Sequence, residues 1–186
     1  MADHDYGYTK WGKDWVRFAE SLRQTRPDPQ LPSARRMVRD GKVQITFDGR
    51  TVRAAVHRGR GTAVVTIEVA PMSAGATAEI SRQLSGIQPL LTDDLYRAIA
   101  DAGHPPAPVL ESVDCSCPAA TPRCVHELAV YYDMARRIDD DPRIALDVQG
   151  FFLASAGGGQ APAEATAQRW IALNSLDPAV YFTVAE

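Results

Sequence analysis

Cys115-Ser116-Cys117-Pro118-Ala119-Ala120-Thr121-Pro122-Arg123-Cys124-Val125-His126 contains all three cysteines of this 186-residue chain. A CxC pair followed after a short gap by CxH supplies three thiolates and one imidazole, a complete tetrahedral shell for Zn²⁺ with no position left open. Pro118 and Pro122 hold the intervening loop out of regular structure. The stretch runs into residues 127–138, where Leu128, Tyr131, Tyr132, Ala135 and Ile138 recur at three- and four-residue steps and predict an amphipathic helix. Cys124 and His126 then sit at its start, where free N–H groups and the positive dipole end favour thiolate over thiol. Arg136 and Arg137 close its last turn. The alternatives are cysteines packed in a core or two of them joined as a disulfide. An odd cysteine count, a cysteine-free remainder and no secretory segment weigh against both.

Working outward, residues 43–47, 51–58 and 62–69 read as three strands of an antiparallel meander. The period-2 alternation of Val52, Ala54 and Val56 against Arg53, Ala55 and His57 gives one buried and one wet face. Asp48-Gly49 signals the first turn, as the central residues of a favoured two-residue hairpin take positive φ. Gly59-Arg60-Gly61 makes the second. Before them, Thr9 caps a helix that lines up Trp11, Trp15, Phe18, Ala19 and Leu22, a face suited to covering the sheet. Prolines in 26–32 break that helix, and Ser33 caps a short basic one over 34–40 that stops at Gly41.

After the meander, Ser73 and Thr92 cap two further helices, ending near Leu84 and Ala102. Residues 109–110 form a short strand before the knuckle. Asp139-Asp140-Asp141-Pro142 lacks the ligand spacing of a calcium loop and reads as a solvated turn, with another helix over 143–154. The expected fold class is α+β: an N-terminal helix, a small antiparallel β-meander, further helices and a zinc knuckle leading into a helix. Residues 1–154 form one domain, with helix and meander over 9–70 and the knuckle over 109–138. Residues 155–163, with three consecutive glycines, form a flexible linker, and 164–186 an apolar docking segment bearing Trp170 and Val180-Tyr181-Phe182.

The CxC and CxH pairs resemble the SWIM zinc finger, and the resemblance implies a zinc-ligand role for Cys115, Cys117, Cys124 and His126. More of the chain is similar to the bacterial, actinobacterial-type SWIM zinc finger proteins. Trp11-Gly12-Lys13-Asp14-Trp15 matches their opening Trp-Gly-x-x-Trp helix, and the arginine-rich stretch from Ala34 to Gly41-Lys42-Val43 matches their lead into a β-meander. Asp177-Pro178-Ala179-Val180-Tyr181-Phe182 looks like their Asp-Pro-x-x-Phe-Trp ending, with Thr183 in place of the Trp. The resemblance implies DNA-binding or protein-interaction roles and an association with Swi/Snf-class helicase-like ATPases.

Composition bounds the rest. Hydrophobic residues make up 45% and charged residues 23% of the chain, as in an ordinary globular domain. The absence of a long apolar run or an N-terminal leader pattern leads to the expectation of a cytoplasmic protein without a membrane partner. The net charge of −3 divides unevenly: 13 Lys+Arg against 8 Asp+Glu in residues 1–70, and 7 against 15 after them. Arg35, Arg36, Arg39, Lys42, Arg53, Arg58 and Arg60, with Arg50, form a candidate nucleic-acid surface on the positive half. An uneven but ordinary solvated surface is the alternative. Phosphate-binding glycine loops and nucleophile motifs are absent from the sequence. The expected function is a non-enzymatic zinc-binding adaptor with a protein partner; the alternatives are direct DNA or RNA binding and a zinc- or redox-responsive regulator.

Overall fold

Val52, Ala54 and Val56 are buried while Arg53 and His57 are exposed, which makes β2 (Thr51–Arg58) a two-sided strand. In the computed structural model, which describes residues 6–20, 28–59, 61–84, 91–118 and 123–153, it lies between β1 (Val43–Asp48) and β3 (Gly61–Val69). All pairings are antiparallel, with Val43 opposite Val56 and Val52 opposite Ile67. The first turn falls one residue later than Asp48-Gly49, because Asp48 pairs with Thr51 and leaves Gly49 and Arg50 at the centre. Only Gly49 has positive φ, 55°, as in turns that need glycine at the first central position alone.

A fourth strand, β4 (Leu110–Cys115), completes the sheet order β1-β2-β3-β4, where the sequence suggested only a strand over 109–110. Ile67 faces Val113 and Val65 faces Cys115, but the register shifts at Glu68 and Val69. Glu111 is the extra residue of that bulge, so the core-directed Leu110 and Val113 stand three apart and the alternation disappears. The strand ends on Cys115.

The longest helix, α5 (Val125–Asp140), touches all four strands and on its other side meets α1 (Lys10–Ala19) and α2 (Leu31–Arg39). Being covered on both sides explains why Leu128, Ala129, Val130, Tyr131, Tyr132, Met134, Ala135 and Ile138 are all buried. Each large apolar side chain here contributes about 1.5–3 kcal/mol by leaving water. The helix α1 thus covers α5 and not the sheet. Its cap is the expected one, Thr9 Oγ1 accepting from Gly12 N at 2.9 Å, and Trp11 packs edge-on against Tyr96 with centroids 5.1 Å apart.

Asp139 corrects the reading of a solvated acidic turn. The helix α5 continues through Asp140, and Asp139 is 7% exposed. Its carboxylate accepts from the backbone N–H groups of Gly7, Tyr8 and Thr9 at 2.6, 3.3 and 3.0 Å, and from Thr9 Oγ1 at 2.6 Å. Gly12 sits so close that a Cβ there would lie 2.2 Å from Asp139 Oδ1 and 3.0 Å from the carbonyl oxygen of Ala135.

The helix α2 begins at Leu31, not after a Ser33 cap, because proline is tolerated in a first turn whose N–H groups are unbonded anyway. Ser73 and Thr92 cap α3 (Ala74–Gln83) and α4 (Asp93–Asp101) as expected. The last helix, α6 (Arg143–Asp147), is shorter than 143–154, because Gly150 at φ 72° interrupts it before residues 151–153 turn helical again. Leu22, Arg60, Pro122, the glycine linker and the 164–186 segment lie outside the described residues. No described helix is long and apolar enough to cross a membrane.

Candidate metal centre

Cys115 ends β4, and Ser116 prolongs the pairing with β3: its N–H donates to Val64 O, and its Oγ accepts from Val64 N, both at 2.9 Å. That fixes the chain as it bends through Cys117 and Pro118. Cys124 is the N-cap residue of α5, in extended conformation, and His126 lies in the first turn. Arg123 ties this second half down by donating from Nη1 to Phe18 O at 2.8 Å, at the end of α1. Gln30 Nε2 donates to the carbonyl of Arg123 at 3.4 Å, just before α2.

The ligand atoms of Cys115, Cys117, Cys124 and His126 all lie within 4.8 Å of one another. His126 Nδ1 is 3.9 Å from both Cys115 Sγ and Cys124 Sγ. A tetrahedron with metal–ligand bonds of about 2.0–2.3 Å has edges of about 3.5–3.8 Å, so these side chains need only a small contraction to hold a metal ion. The three cysteines are free thiols, and sulfur with imidazole suits a borderline-soft divalent ion.

Burial dominates the electrostatics. It raises the pKa of the Cys115 and Cys124 thiols, and for Cys124 it outweighs the opposing backbone hydrogen bond at the start of α5. Burial thus opposes the help that the helix start gives the Cys124 thiolate, and a nearby cation would favour that form. Cys124 donates to Glu127 Oε1 at 3.4 Å. Burial first, and the charge of Arg58 second, lower the pKa of His126 and favour the neutral imidazole that a metal requires.

Among the described residues, the candidate basic side chains are spread over α2, Lys42 just after it, and both faces of β2. Arg35 ion-pairs with Glu20 and stands 5.1 Å over the ring of Tyr132, which itself donates to Glu20 at 2.5 Å. Arg36 and Lys42 both pair with Asp40, at 3.8 and 3.0 Å, while Arg39 is exposed on α2. Arg53 and Arg58 fall on opposite faces of β2 by strand parity. Arg58 lines a cavity of about 260 Å³ with Thr62, Ser116, Cys117 and His126, so the structure brings it to the Cys/His cluster. Sequence reasoning missed the positioning roles of Arg123, Ser116 and Glu127; their only signal was adjacency to the ligands.

Comparison with protein-family models, curated proteins and solved structures gives no match to this chain.

Proposed function

We propose that the protein is a non-enzymatic adaptor of the SWIM-finger type, in which Zn²⁺ held by Cys115, Cys117, Cys124 and His126 staples β4 to α5. The observation that carries this reading is the convergence of three thiols and one imidazole at a strand end and a helix start. Four protein ligands leave no position for an activated water, which favours a structural over a catalytic ion. The adaptor acts in a reducing cytoplasm, where its thiols stay available, beside a protein partner such as a Swi/Snf-class helicase-like ATPase.

Protein contact is placed ahead of nucleic-acid contact because Arg35, Arg36 and Lys42 are engaged by Glu20 and Asp40. Direct nucleic-acid binding is the second reading. It is favoured by Arg53 and Arg58, exposed and without an ion pair among the described residues. Affinity capture of the full chain from its native cell, with and without nuclease, separates the two. A helicase-like ATPase retained after nuclease supports the adaptor. A partner released by nuclease, with salt-sensitive binding of DNA or RNA by the isolated chain, supports the second reading.

A further inference from the structure

In an antiparallel pair, alternate residues direct their N–H and C=O groups to the neighbour and the others direct them away. His57 N donates to Lys42 O at 2.9 Å, and Asp48 and Thr51 close the two-residue turn. Gln44, Thr46 and Asp48 therefore bond to β2, while Val43, Ile45 and Phe47 turn their backbone groups outward. Among the described residues nothing bonds those outward groups.

The two sheet edges differ. At one edge, β4 carries Glu111 and Asp114, is bulged and runs into the metal loop, features that blunt an edge against pairing. At the other, residues 43–47 of β1 carry neither charge nor proline, and Phe47 is 38% exposed. An edge of this kind is a template for another strand.

The chain itself supplies a matching segment. Residues 179–185, Ala-Val-Tyr-Phe-Thr-Val-Ala, are uncharged and rich in β-branched and aromatic side chains. The described chain ends at Leu153. Three residues earlier, Gly150 packs against the Arg50 side chain, whose Cδ would lie 3.4 Å from a Cβ there. The chain thus leaves the core where the turn after β1 meets the end of β3, two strand spacings, or about 10 Å, from the open edge of β1. Residues 154 to 178 number 25. A random-coil stretch of that length spans about 25–30 Å, against about 20 Å for a six-residue strand. We propose that the open edge of β1 is a strand-addition site for residues 179–185 of the same chain, which form a fifth strand there.

The test is amide hydrogen exchange on the full chain and on two tail variants, Val180→Pro/Phe182→Pro and Tyr181→Pro/Thr183→Pro. Together they remove the donors of both strand parities. The expected result is slow exchange at Ile45 and Phe47 in the unaltered chain. At least one double variant accelerates it by about tenfold or more, with the amides of Leu128 and Met134 unchanged. Fast exchange at Ile45 and Phe47 in the unaltered chain overturns the proposal, as does slow exchange that neither variant accelerates. Protection that appears only with concentration-dependent dimerisation assigns the edge to a second copy, and also overturns it.

Discussion

The two ends of α5 are held by opposite chemistry. At its C-terminal end, the Asp139 carboxylate accepts three backbone N–H groups and a hydroxyl from Gly7 to Thr9, so an anion is satisfied by the chain alone. At its N-terminal end, three thiols and an imidazole face one another, and burial disfavours the thiolate form of Cys115 and Cys124. A cation from outside would complete that end. One joint is built into the fold, while the other offers four side chains that could bind a metal ion.

The largest expected effect is at the metal end. Cys117→Ser removes one of four ligands, and apparent metal-binding energies of about 10–16 kcal/mol in isolated fingers are largely folding energy. The variant is expected to lose its zinc and the structure over 110–138, measured by metal analysis and exchange of the α5 amides. Full metal content would break the comparison at its first term.

Asp139→Ala follows at the other end. It strands donors in a half-buried site, and a loss of about 3 kcal/mol is expected in urea unfolding, with the metal content unchanged. A fall in metal content would show that the two ends do not act independently.

Gly12→Ala sharpens the same joint by forcing a Cβ onto Asp139. A cost of about 1–3 kcal/mol is expected from overpacking. Combined with Asp139→Ala the cost is expected to shrink, since the clashing carboxylate is gone; strict additivity in a double-mutant cycle would contradict the close contact.

What the sequence made legible follows the same division. The Cys/His cluster declared itself by residue type and spacing, and the Thr9, Ser73 and Thr92 caps by chemistry that acts within three residues. Asp139 does not, because its partners are backbone groups about 130 positions away, and backbone N–H groups carry no sequence signature. The strand β4 was hidden by the bulge at Glu111. The separation of Arg53 from Arg58 was available in the parity of their numbers along β2, a signal that grouping residues by charge overlooks.

The smallest effect concerns Asp14, on the same helix as Gly12. Burial raises its pKa above the ordinary 3.8, and the Tyr96 hydroxyl and Arg17 oppose this only in part. The folded chain thus holds the Asp14 proton more tightly than the unfolded chain does. The resulting stabilisation is complete below pH 3.8 and is lost as pH rises through the raised value. Relative to Asp14→Asn, the unaltered protein is expected to lose stability in urea unfolding as pH rises above 3.8. A difference that does not change with pH would contradict the burial of the charge.

The central claim is that Cys115, Cys117, Cys124 and His126 close around one ion. Titrating the reduced, metal-stripped full chain with Co²⁺ tests it directly, since absorption reports both geometry and thiolate ligation. The account predicts strong tetrahedral d–d bands and a thiolate-to-metal band that saturate at one equivalent, both abolished by added Zn²⁺. A weak octahedral spectrum, or no saturation at one equivalent, would contradict it.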